Sequence, residues 1–250
     1  MNVAVPLMCR LTSRGALPAL DFVPSLGTTP LSLVRLARAI VPERAVRSYA
    51  YRGIEDDLPP HPTIEAIAEA NVAELRAVAP QGPYLIAGHC LGGAVAHAMA
   101  SALEAGGERV AALVVIDAMA PISVDHASKV PITSSPGAST RVAHFGEIVQ
   151  SMSTRAIELM PQLEPDVARR LFSVLRLHLD AGVNYRARPL RAPVHVLRTA
   201  DGDDKVDGEW KRFTPALKRH PVPGDTLSML RPPHVEAVGR VLGRLLHEAV

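Results

Sequence analysis

Apolar and polar positions along the chain change repeatedly between the period of a strand and the period of a helix. Short apolar runs with the length of β-strands lie at 18–24, 45–51, 82–89, 109–118 and 193–199. Segments with helical spacing lie at 31–40, 64–79, 91–107, 166–183 and 233–249. The run 109–118 is apolar on both faces, which is typical of a buried parallel strand. The alternation predicts an α/β fold with a mostly parallel sheet that helices cover on both faces.

The alternation is interrupted at two places, which set the predicted domain boundaries. Residues 1–15 are mildly apolar and lack a basic segment before an apolar block, so we expect a linker there and no signal peptide. Between about 121 and 166, proline, serine and histidine interrupt short helical pieces. We expect this segment to be an inserted helical lid over the carboxyl edge of the sheet, where the sites of α/β proteins lie. The sequence therefore predicts one domain over 16–250 with a lid at about 121–166.

Composition excludes several classes of function. The chain has 250 residues, 48% of them hydrophobic, and a net charge of +2 from 27 basic and 25 acidic residues, so charge does not favour binding to nucleic acid. The longest apolar run, 110–122, is too short to span a membrane and contains Asp117. The two cysteines, Cys9 and Cys90, form no metal-binding or disulfide pattern, and we expect a cytoplasmic protein without a bound cofactor or metal.

The segment LIAGHCLGG, residues 85–93, joins a predicted strand to a predicted helix. Gly88 and Gly92 flank Cys90 with the spacing of the G-x-S-x-G nucleophile elbow, with cysteine in place of serine. The backbone N–H of Leu91 is expected to point at a developing oxyanion. The N-terminus of the following helix is expected to lower the pKa of the thiol. Cys90 is therefore the predicted nucleophile, and a buried structural cysteine is the alternative.

A long block surrounds this cysteine, PQGPYLIAGHCLGGAVAHAMASALEAGGERVAALVVIDAMAP, and it is preceded by YRGIEDDLPPHPTIEAIAEANVAELRAVAP. Two further blocks follow, NYRARPLRAPVHVLRTAD and PGDTLSMLRPPHVEAV. Together they resemble the thioesterase domains of nonribosomal peptide and polyketide synthases. The resemblance implies an α/β-hydrolase fold and acyl transfer from a peptidyl carrier protein domain, with residues 1–15 as the linker from that upstream domain. The phosphopantetheine arm then belongs to the carrier and is not a cofactor of this domain.

The resemblance assigns further residues to the site. The family's triad acid corresponds to Asp117, at the end of the run 109–118, with Asp201 as the rival acid. The turn FVPSLG corresponds to the loop that supplies the second oxyanion donor, which is then the backbone N–H of Ser25. The pattern departs at the base, because the family's GDHxxML is GDTLSML here. Thr226 stands where the catalytic histidine is expected.

The identity of the base stays open at this point. His234 begins the last predicted helix on the same side of the sheet as Cys90 and is the first candidate. His126, at the entry to the predicted lid, is the second. His178, on the long helix 166–183, faces either the site or the core. A further alternative is that the reaction proceeds without a histidine.

The cysteine and the missing histidine are interpreted as two parts of one change. A serine hydroxyl is unreactive without an adjacent base, whereas a thiol ionises more readily. A cysteine also stores the acyl group as a thioester, whose energy can drive closure of a strained ring. Family members with cysteine at the elbow are associated with β-lactone and β-lactam release, and the chain resembles that subclass, including the terminal domains of monobactam (sulfazecin-type) synthetases. The predicted function is peptide release through a Cys90 acyl-enzyme by intramolecular cyclisation.

Three other functions fit parts of the sequence. A hydrolytic thioesterase, either editing or chain-terminating, would have a similar core and lid. A dienelactone-hydrolase-like cysteine hydrolase shares the GxCxGG elbow, although the acid at Asp117 and the insertion at about 121–166 go against it. A degenerate domain that only docks a carrier protein would account for the missing histidine.

Overall fold

A computed structural model describes residues 6–13, 15–123, 165–199, 208–225 and 228–250 of the chain. The strands in these residues are β1 (Met8–Thr12), β2 (Leu17–Val23), β3 (Arg44–Tyr49), β4 (Tyr84–His89), β5 (Val110–Ile116), β6 (Ile122–Ser123), β7 (Arg186–Ala187), β8 (Val194–Thr199) and β9 (Leu217–Val222). The short strands β6 and β7 pair with each other, and the remaining strands form a seven-stranded main sheet.

The α-helices within the same residues are α1 (Val34–Ala39), α2 (Ile64–Val78), α3 (Gly92–Ala105), α4 (Pro165–Asn184) and α5 (Val235–Glu248). Each of them overlaps a segment whose spacing predicts a helix. α2 follows Thr63, whose hydroxyl accepts a hydrogen bond from the Ala66 N–H at 3.1 Å, as expected of an N-cap. No helix in this part of the chain is long and apolar enough to cross a membrane.

The order of strands in the main sheet is β1-β3-β2-β4-β5-β8-β9. β1 pairs with β3 in antiparallel orientation, and the other neighbouring pairs are parallel. β4 and β5 lie next to each other and are buried along their whole length. The predicted mostly parallel sheet is therefore confirmed, and the carboxyl ends of β2, β4, β5 and β8 lie along one edge.

Alternate residues of the central strands pack on opposite faces of this sheet. Ile86 and Val115 belong to the same hydrophobic cluster as buried residues of α2 and α3. Leu85 and Val114 belong to a second cluster, together with buried residues of α1 and α5. The sheet is thus covered by helices on both faces, as predicted.

The strands at the two edges of the sheet are not predicted by the pattern. β1 lies within residues 1–15, for which the sequence predicts a linker, so part of that segment belongs to the sheet. The Glu74 carboxylate accepts hydrogen bonds from the Leu7 and Met8 N–H groups at the start of β1. β9 has the sequence LKRHPV, in which charged residues and Pro221 conceal the strand pattern; an edge strand tolerates both. The predicted lid lies almost entirely outside the described residues.

Candidate active site

Cys90 lies between β4 and α3, in the turn that the elbow spacing predicts. Its φ angle is 50°, a left-handed conformation that costs about 1 to 3 kcal/mol in a residue other than glycine. The Cys90 N–H donates to the Ile116 carbonyl at 2.8 Å, which ties the turn to the end of β5. The chain therefore holds this side chain at the carboxyl edge of the sheet.

Contacts with neighbouring backbone explain the glycines around the cysteine. A Cβ at Gly88 would lie 2.5 Å from the carbonyl oxygen of Gly92, and a Cβ at Gly92 would lie 2.2 Å from the carbonyl oxygen of Pro24. A Cβ at Gly93 would lie 2.6 Å from the Cβ of Ala118, so this glycine lets α3 approach the end of β5. A larger residue at any of these positions would force the turn, the helix or the adjoining loop to move.

The Cys90 thiol is buried, with 6% of the residue exposed. Burial raises its pKa to about 11, and the charge of Asp117 acts in the same direction. Hydrogen bonding from the Ser25 side chain and the Leu91 backbone lowers this pKa, as does the charge of Arg198. The expectation of a lowered pKa is therefore wrong, because a helix N-terminus contributes up to about 2 kcal/mol in a partly buried site and burial of the thiol outweighs it. Formation of the thiolate therefore depends on the groups that lower this pKa, which are Ser25, Leu91 and Arg198.

Asp117 follows β5 directly and lies close to the cysteine. Its φ angle is 47°, so it adopts a left-handed conformation as well. Its N–H donates to the Leu197 carbonyl at 2.8 Å, and the preceding residue, Ile116, accepts the hydrogen bond from Cys90. The structure thus brings together the cysteine and the acid that the family resemblance implies.

Arg198 is a charged residue at this edge that the sequence analysis does not single out. It lies in β8, next to β5, and is 8% exposed. Its Nε is 3.8 Å from Oδ1 of Asp117, and its Nη2 donates to the Ala118 carbonyl oxygen at 3.1 Å. Nε1 of Trp210 donates to the same oxygen at 3.1 Å. The available sequence signal is an arginine one residue before the end of the strand VHVLRT, which is buried at every position except its last.

The residues predicted to hold an oxyanion, Leu91 and Ser25, both lie next to the Cys90 thiol. Leu91 precedes the first residue of α3, where backbone N–H groups have no acceptor inside the helix. The Ser25 carbonyl accepts hydrogen bonds from the Thr28 hydroxyl at 2.7 Å and from the Thr28 N–H at 3.1 Å, which fixes the loop after β2. The Ser25 hydroxyl also interacts with the thiol, a contact that the sequence analysis does not include.

The structure places His234 beside the loop in which the family carries its histidine. Cδ2 of His234 is 3.0 Å from the position that a Cβ on Gly224 would take, in the loop after β9. In the described part of the chain, no hydrogen bond or ion pair joins His234 to Cys90 or Asp117. The same residues contain no cluster of three or more side chains that could hold a metal ion. Three residues of the predicted site lie outside the described residues: His126, Asp201 and Thr226.

Tyr51 and His178 form an aromatic pair near the thiol. The Tyr51 hydroxyl donates to the Pro24 carbonyl at 2.6 Å, and burial, together with the charge of Cys90, raises the pKa of Tyr51. The ring centroid of His178 lies 5.2 Å from that of Tyr51, in an edge-to-face arrangement. Burial lowers the pKa of His178 to about 4, so this imidazole is neutral at physiological pH. Of the two positions that the sequence allows for His178, the structure favours the buried one.

Comparison with known sequences identifies relatives of this chain. The family model of the thioesterase domain matches residues 20–246. The probable nonribosomal peptide synthetase CymA of Salinispora arenicola strain CNS-205 is 24% identical over 217 residues, which cover 78% of this chain and 3% of CymA. Indigoidine synthase of Dickeya dadantii strain 3937 is 25% identical over 265 aligned positions, which cover 95% of this chain and 18% of that protein. The chain therefore spans a small part of these relatives.

Solved structures share the fold. The NocB thioesterase domain, in covalent complex with a fluorophosphonate nocardicin G analogue, has a TM-score of 0.74 at 21% identity, covering 96% of this chain and 99% of NocB. The Vlm2 thioesterase domain, with genetically encoded 2,3-diaminopropionic acid and a bound dodecadepsipeptide, has a TM-score of 0.73 at 24% identity, covering 95% of this chain and 97% of Vlm2. Because the family model spans nearly the whole sheet and the elbow, the chain belongs to the thioesterase domain family and is an enzyme with an α/β-hydrolase fold.

Proposed function

We propose that this domain releases a peptide from the phosphopantetheine thioester of a carrier protein through an acyl-enzyme on Cys90. We further propose that release occurs by cyclisation to a strained ring, a β-lactam or a β-lactone. The observation that carries the proposal is a cysteine in the left-handed turn of the elbow, with Asp117 beside it. The relative CymA, a probable nonribosomal peptide synthetase, supports a carrier-bound peptide as the substrate and an upstream peptidyl carrier protein domain as the partner.

In the proposed acylation step, the Cys90 thiolate attacks the carbonyl carbon of the carrier thioester, and the backbone N–H groups of Leu91 and Ser25 hold the oxyanion. The C–S bond to Cys90 forms and the C–S bond to phosphopantetheine breaks. The departing phosphopantetheine thiolate takes up the proton that Cys90 gave up, so this exchange consumes no base. The acyl group then remains a thioester and keeps the energy of the carrier thioester.

In the proposed release step, an amine or hydroxyl of the peptide attacks the acyl carbon. The C–N or C–O bond forms, the C–S bond to Cys90 breaks, and a general base, for which His234 is the first candidate, takes the proton of the attacking group and passes it to the sulfur. A serine oxoester would lie lower in energy and would leave less driving force for a strained ring. We assign the exclusion of water during this step to residues of the segment 121–166.

The product distinguishes cyclisation from hydrolysis. With a carrier-bound peptidyl thioester or a small thioester surrogate, we expect mass spectrometry to show a product lighter by one water molecule than the linear acid. A matched substrate whose internal amine or hydroxyl is blocked should stop at the acyl-enzyme or give the linear acid slowly. Formation of the linear acid alone from the unblocked substrate would reject cyclisation and favour the hydrolytic alternative.

The two candidate bases are compared by single substitutions. We expect His234→Ala to slow release by about 100-fold, the low end for loss of a general base, and to slow it more than His126→Ala does. His247→Ala, at an exposed position in α5, is the matched control. Rapid-quench measurement of acyl-enzyme formation and decay assigns any effect to one step. Equal rates in all three variants would show that neither candidate is the base.

A further inference from the structure

We propose that Arg198 is a positioning residue of this site, whose guanidinium holds the Asp117 carboxylate and supplies the positive charge that balances it beside Cys90. This inference rests on the proposed role of Cys90 as the nucleophile.

The sheet itself sets the position of Arg198. β8 pairs with β5 in a register that places Leu197 opposite Ile116, so Arg198 lies level with Asp117. Nε of Arg198 lies 3.8 Å from Oδ1 of Asp117, which is an ion-pair distance, and its Nη2 donates to the Ala118 carbonyl at 3.1 Å. The guanidinium therefore interacts with Asp117 through charge and with the next residue, Ala118, through a backbone hydrogen bond.

Charged and titratable groups approach the thiol from several elements. Asp117 lies at the end of β5, Arg198 in β8, Tyr51 in the loop after β3, and His178 in α4 behind Tyr51. Burial keeps Tyr51 protonated and His178 neutral at physiological pH, and it also lowers the pKa of His61, which faces His178. Of these groups, Asp117 and Arg198 are the two whose charges act on the Cys90 thiol.

A thiolate at Cys90 would place a second negative charge close to Asp117 in a buried site. The guanidinium reduces the combined charge of the three groups to one negative charge, and its own charge favours the thiolate. In a histidine-based triad, the imidazolium supplies this positive charge after it has taken the proton. An arginine guanidinium does not release its proton near neutral pH, so its charge is permanent and it cannot take up the proton of the thiol. This fits a reaction in which the departing thiolate takes up the proton.

The ionisation of Cys90 can be measured separately from turnover. Below the pKa, the rate of alkylation by iodoacetamide follows the fraction of thiolate, and it can be followed from about pH 7 to pH 9.5. Mass spectrometry of the peptide that contains Cys90 separates its alkylation from that of Cys9. Intact-mass detection of the acyl-enzyme with a thioester substrate, in the wild-type protein, tests the proposed function on its own.

We expect Arg198→Gln to slow alkylation of Cys90 by about tenfold at each pH, which corresponds to an upward shift of about one pKa unit. Arg198→Lys, which keeps the charge, should lie between this variant and the wild type. Asp117→Asn should accelerate alkylation, and the double variant Arg198→Gln/Asp117→Asn should fall between the two single variants. Arg240→Gln, at an exposed position in α5, is the control and should match the wild type.

An Arg198→Gln variant that is folded and is alkylated at the wild-type rate would overturn the inference. If this variant does not fold, the comparison between Asp117→Asn and the double variant decides. The double variant must then be alkylated more slowly than Asp117→Asn, because it lacks the positive charge. Equal rates for these two variants would also overturn the inference. A wild-type protein that is alkylated normally but forms no acyl-enzyme would reject the proposed function while leaving the role of Arg198 in ionisation intact.

Discussion

Replacement of Cys90 by alanine is expected to abolish the acyl-enzyme and to lower peptide release by on the order of 10³-fold or more, the scale of losses seen when a nucleophile is removed. The reason is that alanine offers no atom that can form a bond to the acyl carbon. Intact-mass spectrometry of the protein with a thioester substrate, together with the rate of product formation, checks both effects. Cys9→Ala, at the half-buried cysteine of the edge strand β1, is the matched control and should retain the wild-type rate.

Cys90→Ser keeps the elbow but replaces the thiol by a hydroxyl. The described residues place no histidine in hydrogen-bonding contact with position 90, so we expect the serine variant to acylate at a small fraction of the wild-type rate. A Cys90→Ser variant that acylates at a rate near that of the wild type would contradict the dependence of the reaction on the thiol. Turnover by Cys90→Ala at the wild-type rate would reject the covalent mechanism.

Gly92→Ala is expected to lower the free energy of unfolding by about 3 kcal/mol or more, because its Cβ would lie 2.2 Å from the carbonyl oxygen of Pro24. The obstacle is backbone, so relief requires the loop after β2 to separate from α3. Urea unfolding of the purified variant measures the loss, and failure to obtain folded protein would be the extreme of the same result. The loop displacement should also reduce acylation of Cys90, since Ser25 lies in that loop.

Gly208→Ala is the control for this substitution, because no atom of the described residues lies within 4 Å of the position its Cβ would occupy. It should change stability by less than about 0.5 kcal/mol. If Gly92→Ala unfolds at the same urea concentration as Gly208→Ala, the close approach of the loop to the elbow is not present in solution.

Hydrophobic pattern is sufficient for the interior of this sheet and insufficient for its edges. β5 is buried at every position, and its uninterrupted apolar sequence indicates that directly. β9 is only partly buried and has LKRHPV, which no period distinguishes from a loop. β1 forms in a segment that has one neighbouring strand, β3, and its pairing depends on contacts with distant residues such as Glu74. An edge strand is defined by its neighbour, and that neighbour is not visible in local sequence.

The residues of the site likewise differ in whether local sequence predicts them. The elbow can be predicted because its cysteine and glycines lie within six consecutive residues, 88–93, and the spacing itself reflects the steric requirement. Arg198 could not be predicted, since its meaning depends on β8 lying next to β5 in the sheet. The direction of the pKa shift at Cys90 was missed for a related reason. Ser25, Asp117 and Arg198 act on the thiol from distant parts of the chain, and burial of the thiol exceeds the effect of the adjacent helix end.

The left-handed turns at Cys90 and Asp117 are joined by the hydrogen bond from the Cys90 N–H to Ile116, at the ends of two strands that are buried throughout. Neither turn can shift without distortion of the centre of the sheet. Chemistry and substrate choice are therefore separable in this domain. Substitutions in segments beyond the strand ends can therefore alter contacts with a substrate while the backbone at Cys90 and Asp117 keeps its alignment.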